Sequence, residues 1–276
     1  MVYDLKKELR VTADSFAKAL SFILLVAVCL SFLARHHWIA DLFSHFLIQY
    51  VIGATVLGVF YALTKKWLMA SVMLAILTIS LIEISPFAIP TSGRQTDMRI
   101  SIMQYNRLIY QTRHDDLMEF LKASPADIIT LQEAGAGLNK LISTLQDIYP
   151  YRIVETRAHA FGMVILSRHK IIHHEVIPLN GPLLDNILIR AEIDVPDLDD
   201  PLILYALHTL PPTDGEQWQE RNTELVRTAD LINKDKNSYI ILAGDWNITP
   251  YSPFFKDLLK TTGLEYQNTS LYPPMT

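Results

Sequence analysis

Residues 239–250 read YIILAGDWNITP. Four mostly apolar residues run into Ala-Gly, and Asp245 and Asn247 then follow two positions apart. Gly, Asp and Asn all favour turns, through positive φ or side-chain to backbone hydrogen bonds, so a turn alone accounts for the composition. In a strand, however, positions i and i+2 point the same way. A buried strand that ends by presenting a carboxylate and a carboxamide on one side can therefore also be building a site. The rest of the chain decides between the two.

Upstream of this stretch, short units alternate. RISIMQY (99–105) predicts a strand ending at Asn106, and HDDLMEFLK (114–122) has the helical spacing of Leu117, Phe120 and Leu121. DIITLQ (127–132) is rich in β-branched residues and predicts a strand ending at Glu133; 138–148 predicts a helix. Strands are expected near 151–155, 161–167, 171–177, 187–193 and 202–208, and a long helix over about 216–234 leads into the opening stretch. The succession predicts an α/β (α+β) layered sandwich with mixed β-sheets. Three apolar strands end in Asn106, Glu133 and the Asp245/Asn247 pair, and a fourth, PLILYAL (201–207), ends at His208. In layered α/β folds, strand ends are where loops gather into a site.

The chain before residue 90 is of another kind. Of its 276 residues 50% are hydrophobic, and the excess is concentrated. No Asp, Glu, Lys or Arg occurs in the 23 residues of 42–64, nor in the 16 each of 19–34 and 67–82. A membrane-spanning helix needs roughly 17–25 apolar residues. The middle segment meets that outright; the first extends to Phe16 if Lys18 snorkels, and the third extends past Glu83 to Pro86 and Pro90. Three transmembrane helices are expected, at about 16–34, 42–64 and 67–89, followed by a linker over 91–97 and a domain over 98–276. Trp38 and Trp67 beside Arg35 and Lys65-Lys66 fit interfacial anchoring. Lys6, Lys7, Arg10, Lys18, Lys65 and Lys66 outnumber Arg35, Arg94, Arg99 and Arg107 on the other side, which places the N-terminus inside and the domain outside, in a bacterium the periplasm or exterior. The single Cys29 lies in the first span and leaves the domain without a thiol. From residue 91 onward 17 Lys/Arg stand against 24 Asp/Glu, leaving −7, with no basic run. That argues against tight nonspecific duplex binding, although a metal-bridged phosphate substrate remains open.

A Glu, an Asp, two Asn and a His at strand ends offer neither a thiolate nor a nucleophilic Ser elbow, and the chain has no P-loop or dinucleotide fingerprint. Singly, each has a plain role: Glu133 as solvated loop, Asn106 as a turn residue, His208 as a half-buried structural histidine. Together they can hold a hard divalent cation through oxygen and handle a proton through imidazole. Mg²⁺ prefers one or two carboxylates and several waters, with substrate phosphate oxygens completing its octahedron. The set suits hydrolysis of a phosphate ester.

MQYN (103–106), DIITLQE (127–133), FGMVILSR (161–168), LHTLPP (207–212) and ILAGDWN (241–247) occur in an order that resembles the metal-dependent endonuclease/exonuclease/phosphatase superfamily, over about residues 97–265. The three-span N-terminus is similar to a bacterial membrane-anchored branch of it. The resemblance implies a Mg²⁺ site, or Mn²⁺ in its place, with Glu133 as principal ligand and Asn106 beside it. It implies that Asp245 aligns or deprotonates the attacking water and that Asn247 binds the scissile phosphate. His208 would contact the phosphate and stabilise charge or protonate the leaving group, and Asn106 would also face the phosphate. It further implies two more strands and a closing Ser-Asp-His type motif, whereas residues 248–276 contain no His. The expected function is a membrane-anchored hydrolase of nucleic acid, lipid or sugar phosphate esters. The alternative is an inactive anchored domain that binds a phosphorylated ligand or partner. For the orientation, a reporter fused after Thr276 is expected to be active only outside the cytoplasm; activity of a cytoplasm-only reporter at that junction would overturn it.

Overall fold

The computed structural model describes residues 2–88, 99–179, 181 and 186–267, with side chains from Thr12 onward. The expected linker at 91–97 and the segment after Gln267 lie outside the described residues. The chain divides into two compact units. One comprises Met1–Ser92 with Ile248–Leu259 and Glu265–Thr276; the other comprises Gly93–Asn247 with Lys260–Leu264.

The first unit is helical. Helices α1 (Val2–Ser31), α2 (Trp38–Ser44), α3 (Leu47–Leu63) and α4 (Trp67–Ala88) account for the three apolar stretches. Two helical segments, Thr12–Ser31 and Trp67–Ala88, are long and apolar enough to cross a membrane. The third stretch differs from the expected straight span over 42–64. It is a pair, α2 and α3, bent by 63° at the break between Ser44 and Leu47. Ser44 Oγ donates to the Asp41 carbonyl at 2.7 Å, so a hydroxyl competes for a backbone acceptor where the helix stops. At the other end of α2, His37 Nδ1 caps the helix by accepting from the Ile39 N–H at 3.2 Å. Pro86, expected to mark a helix end, lies inside α4. Its ring removes the N–H that would meet the Ile82 carbonyl, and Ser85 Oγ donates to that carbonyl at 2.9 Å instead. Helices α1 and α3 are joined by a buried bond between Ser21 and Tyr61, 2.9 Å apart. Phe22, Ile23, Ile52, Val56, Leu68, Leu74 and Ile82 face outward, a large apolar surface of the kind that marks contact with lipid or protein.

Among the described residues the second unit holds eight strands in two sheets of four. In the first sheet β1 (Ile102–Asn106), β2 (Ile128–Gln132), β4 (Met163–Ser167) and β3 (Tyr151–Glu155) lie in the order β1-β2-β4-β3, with β1 and β2 parallel and the rest antiparallel. The second runs β5 (Lys170–Pro178), β6 (Ile187–Asp194), β7 (Leu202–His208) and β8 (Ile240–Asp245), with β7 and β8 parallel. Helices α5 (His114–Ala123), α6 (Leu138–Ser143) and α7 (Gly215–Lys234) join them, and α8 (Pro253–Thr262) follows β8. Helix α6 is shorter than the predicted 138–148. Ser143 and Thr144 hydroxyls take the Lys140 and Leu141 carbonyls at 2.7 Å each, and the chain continues as turns.

Strand alternation sorts the core into two. Ile129, Leu131, Val164 and Leu166 pack with Leu117, Leu121, Leu138 and Ile142 of the helices. Ile128, Met163 and Ile165 point the other way, against Ile189, Ala191, Leu204 and Ala206 of the second sheet. The layered sandwich expected from the sequence is what forms. Asn106, His208 and Asp245 share strand parity with Ile102, Ala206 and Ala243 of the inter-sheet core, so each is the last member of an inward-facing row.

Gly244 makes that ending achievable in β8. Its φ is +144°, and a Cβ there would lie 1.8 Å from the Leu207 carbonyl oxygen. Gly244→Ala is expected to destabilise the sheet unit by about 3 kcal/mol or more, since left-handed strain and a backbone clash coincide. Denaturant unfolding of the detergent-solubilised chain checks this; an unchanged midpoint would refute the tight β7–β8 approach.

Candidate active site

The row ends converge. Asn106 Nδ2 donates to Glu133 Oε1 and to Asp245 Oδ2, at 2.9 Å each. The carboxamide thus stands between two carboxylates that come from different sheets. Alternation alone would send Glu133 to the helix-covered face with Leu131. Its backbone is left-handed (φ 60°), which ends β2 there, and the carboxylate lies with Asn106. The second oxygen, Oε2, accepts from the Ile109 N–H at 2.7 Å. Leu108, also at positive φ (56°), donates its N–H to Asn106 Oδ1 at 3.0 Å. Left-handed non-glycine residues cost on the order of 1–3 kcal/mol each and persist where the surroundings over-determine them.

Asp245 and His208 are register partners on β8 and β7. Beyond them the two loops are tied together: Thr209 N–H donates to the Asp245 carbonyl at 3.1 Å, and Asn247 Nδ2 donates to the Thr209 carbonyl at 2.8 Å. Asn247 (φ 46°) also donates its N–H to Asp245 Oδ1 at 3.1 Å. His208 is 3% exposed, its ring 5.0 Å from that of Phe161. Burial lowers its pKa below the ordinary histidine value, against the opposing pull of Asp245, Glu133 and the Ala160 carbonyl. Its Nδ1 is buried with no hydrogen-bond partner among the described residues. All five residues singled out in the sequence thus stand at neighbouring strand ends. Asn106, Glu133 and Asp245 form one bonded group, and Asn247 and His208 adjoin Asp245.

Other residues hold this arrangement and were not picked out from the sequence. Arg107, buried beneath the loop, donates from Nη2 to the Gln111 carbonyl at 2.7 Å and so shapes the segment that supplies the Ile109 N–H. Arg221 of α7 donates from Nη1 to the Asn247 carbonyl at 3.0 Å. Glu224, one turn on, accepts from Asn186 Nδ2 at 2.8 Å and from the Leu210 N–H at 3.1 Å. Asn186 Nδ2 also reaches the His208 carbonyl at 2.6 Å. The sequence did contain a signal: Arg221 and Glu224 fall on the same helical stripe as Leu225, Thr228 and Ile232, where an amphipathic helix carries apolar residues.

Two carboxylates and a carboxamide oxygen are hard donors, and a donor group already lies between the carboxylates, so the set fits a divalent cation such as Mg²⁺. Among the described residues no group of three or more His, Cys, Asp or Glu is placed to hold a metal. One or two carboxylates with substrate and water oxygens is the Mg²⁺ pattern, which needs no such group.

The Endonuclease/Exonuclease/phosphatase family profile matches residues 106–275, and the chain belongs to that family. Among solved structures, a β-hairpin deletion mutant of beta toxin from Staphylococcus aureus is similar at 18% identity and TM-score 0.51, over 62% of this chain and 75% of that one. Sphingomyelinase C from Streptomyces griseocarneus is similar at 19% identity and TM-score 0.50, over 60% and 70%. TDP2 from D. rerio, complexed with single strand DNA product, matches at 20% identity and TM-score 0.49, over 59% and 64%. At these identities the likeness is one of fold. The comparison with curated proteins gives no match.

Glu224 gives the site a measurable signature. Burial pushes its carboxyl up to about 7, helped by Glu220 and opposed by Asn186, the Leu210 N–H and Arg227. Between about pH 4.5 and 7 the folded chain holds a proton that the unfolded chain has lost, so stability falls as pH rises through that window. Glu224→Gln is expected to remove this component, on the order of 3 kcal/mol. Unfolding midpoints measured from pH 4.5 to 8 in both proteins check it; identical slopes would show that Glu224 is not held this way.

Proposed function

We propose that the chain is a membrane-anchored, Mg²⁺-dependent hydrolase of phosphate esters, with its site at the strand ends of the sandwich. The observation that carries this reading is Asn106 set between the carboxylates of Glu133 and Asp245. Glu133, with Asn106 beside it, would hold the cation; when bound, Mg²⁺ supplies polarisation of the phosphoryl oxygen and neutralises developing charge. Asp245 is fixed by the Asn247 N–H on one oxygen and by Asn106 on the other. It can orient an attacking water and accept its proton. Asn247, held by Arg221 and Thr209, lies next to Asp245 and binds the scissile phosphate. A phosphate beside His208 would oppose the burial that lowers its pKa, as Asp245 and Glu133 do, and the protonated ring would donate to a phosphate or leaving-group oxygen.

The two apolar helices and the bent α2–α3 pair support anchoring, with up to three crossings if the pair is one span. The Lys/Arg bias favours the sandwich on the periplasmic or outer side. The acidic balance after residue 90 favours a small or lipid-borne phosphate ester over long duplex DNA.

If Glu133 is the principal ligand, Glu133→Gln keeps the shape and removes the charge a hard cation needs. At a Mg²⁺ concentration 100 times its Kd the unmutated protein should gain about 2.7 kcal/mol, and the variant should gain none. Hydrolysis of bis-p-nitrophenyl phosphate should be lost with it, and Asp245→Asn should lower kcat about 10²–10⁴-fold. A Mg²⁺-induced thermal shift in Glu133→Gln equal to that of the unmutated chain would sink the assignment.

A further inference from the structure

We infer that the cavity between the end of β1 and helix α5 is a second binding site, separate from the catalytic group, for a small organic oxyanion carried on a flat apolar body. It is independent of the proposed hydrolysis, and every residue it uses belongs to the sandwich unit.

The cavity follows from strand alternation. Asn106 ends an inward-facing row, so Tyr105 points the other way, as Met103 does where it packs on the helix-covered core. The ring of Tyr105 accordingly meets that of Phe120 on α5. On this face a cavity of about 260 Å³ opens between Tyr105, Arg107, Gln111, Arg113 and Phe120. Sites for drug-sized ligands run from about 300 Å³ upward, so this one suits a smaller molecule.

Arg107 is the informative member. Its side chain is 4% exposed. Among the described residues its guanidinium meets only main-chain oxygens: Nη2 donates to the Gln111 carbonyl at 2.7 Å and approaches that of Ile109 at 3.5 Å. Its Nε is buried with no hydrogen-bond partner among them. Burying a charge is costly unless it is paired and hydrogen-bonded, and a guanidinium has five N–H donors to satisfy. Arg113, at the start of α5, has its own carboxylate in Asp116. Arg107 has no such partner among the described residues. Glu133 turns its two oxygens to Asn106 and the Ile109 N–H, and acts on Arg107 only through space.

An oxyanion in the cavity supplies the missing partner, because its paired oxygens match the guanidinium fork with two parallel hydrogen bonds. With Arg113 balanced by Asp116, the cavity keeps one net positive charge, the complement of a monoanion. The remaining wall says what the anion is attached to. Tyr105 and Phe120 hold their rings 5.5 Å apart at an interplanar angle of 48°, with 38% and 47% of their surfaces exposed. Leu117 lines the space with them. Open aromatic faces beside a cation fit a flat apolar body that stacks on the rings while its charged end meets Arg107.

The test follows benzoate by saturation-transfer NMR with the full chain in nanodiscs. EDTA keeps the proposed metal site empty, and protein-free nanodiscs give the baseline. A saturable benzoate signal is expected. Acetate, which has the charge without the ring, and benzyl alcohol, which has the ring without the charge, should each displace benzoate at least tenfold less well. Phe120→Ala should weaken benzoate binding about 2–10-fold, the scale of one aromatic contact. Arg107→Lys keeps the charge but loses the fork, and should weaken it about tenfold. If Arg107→Lys fails to fold, Phe120→Ala decides by the same readout, since its ring is half exposed. No saturable signal from the unmutated chain overturns the inference. So does equal displacement by either control, or a benzoate affinity unchanged in the folded variants. None of these readouts uses turnover, so they decide whether or not the chain hydrolyses phosphate esters.

Discussion

Everything at the site depends on one carboxamide standing between two carboxylates. Glu133 and Asp245 arrive on different sheets, and like charges brought together at the end of a low-dielectric sandwich repel unless a donor separates them. Asn106 Nδ2 is that donor, 2.9 Å from each. The same few atoms stitch the first sheet to the second and define where a cation belongs. The apolar rows behind them (Ile128, Met163 and Ile165 against Leu204 and Ala206) pack the sheets together.

The supporting residues follow from the cost of burial. His208, Arg221, Glu224 and Asn186 are all withdrawn from water. Unpaired polar groups there would cost about 1–3 kcal/mol each. Glu224 and Asn186 close around the His208–Leu210 segment, and Arg221 takes the Asn247 carbonyl. Helix α7 thus serves the ends of both β7 and β8, holding the histidine and the carboxamide from one rigid surface.

How much of this could be read from the sequence depended on periodicity. Strands such as 127–132 and 202–208 announce themselves by β-branched and apolar runs, and the polar residue closing each run was visible as the break in the pattern. Alternation led to Asp245 and Asn247 on one side, but β8 ends at Asp245 and Asn247 follows it at φ 46°. Nor could alternation place Glu133, because a left-handed residue reverses what parity predicts, and no residue type at 133 advertises φ 60°. Arg221 and Glu224 were hidden for another reason: charges on a helix are read as solvated until the stripe they occupy is compared with Leu225 and Ile232. The break at His45 and the return of 248–259 to the helical unit are tertiary facts. A run of apolar residues without charges looks continuous, whatever Ser44 does to the Asp41 carbonyl.

The pairing of His208 with Asp245 carries a consequence for assembly of the sheet. Strands β7 and β8 are parallel, and almost any apolar residue of one could sit against any apolar residue of the other. A slip by a single residue would still bury Ile and Leu side chains, yet it would turn the carboxylate of Asp245 outward and set a different neighbour beside the imidazole. Gly244 opposes that error, because only the residue without a Cβ tolerates the closeness of the Leu207 carbonyl. The glycine therefore works as a register mark, letting the strand pair close in one alignment and coupling correct folding to a correctly built site.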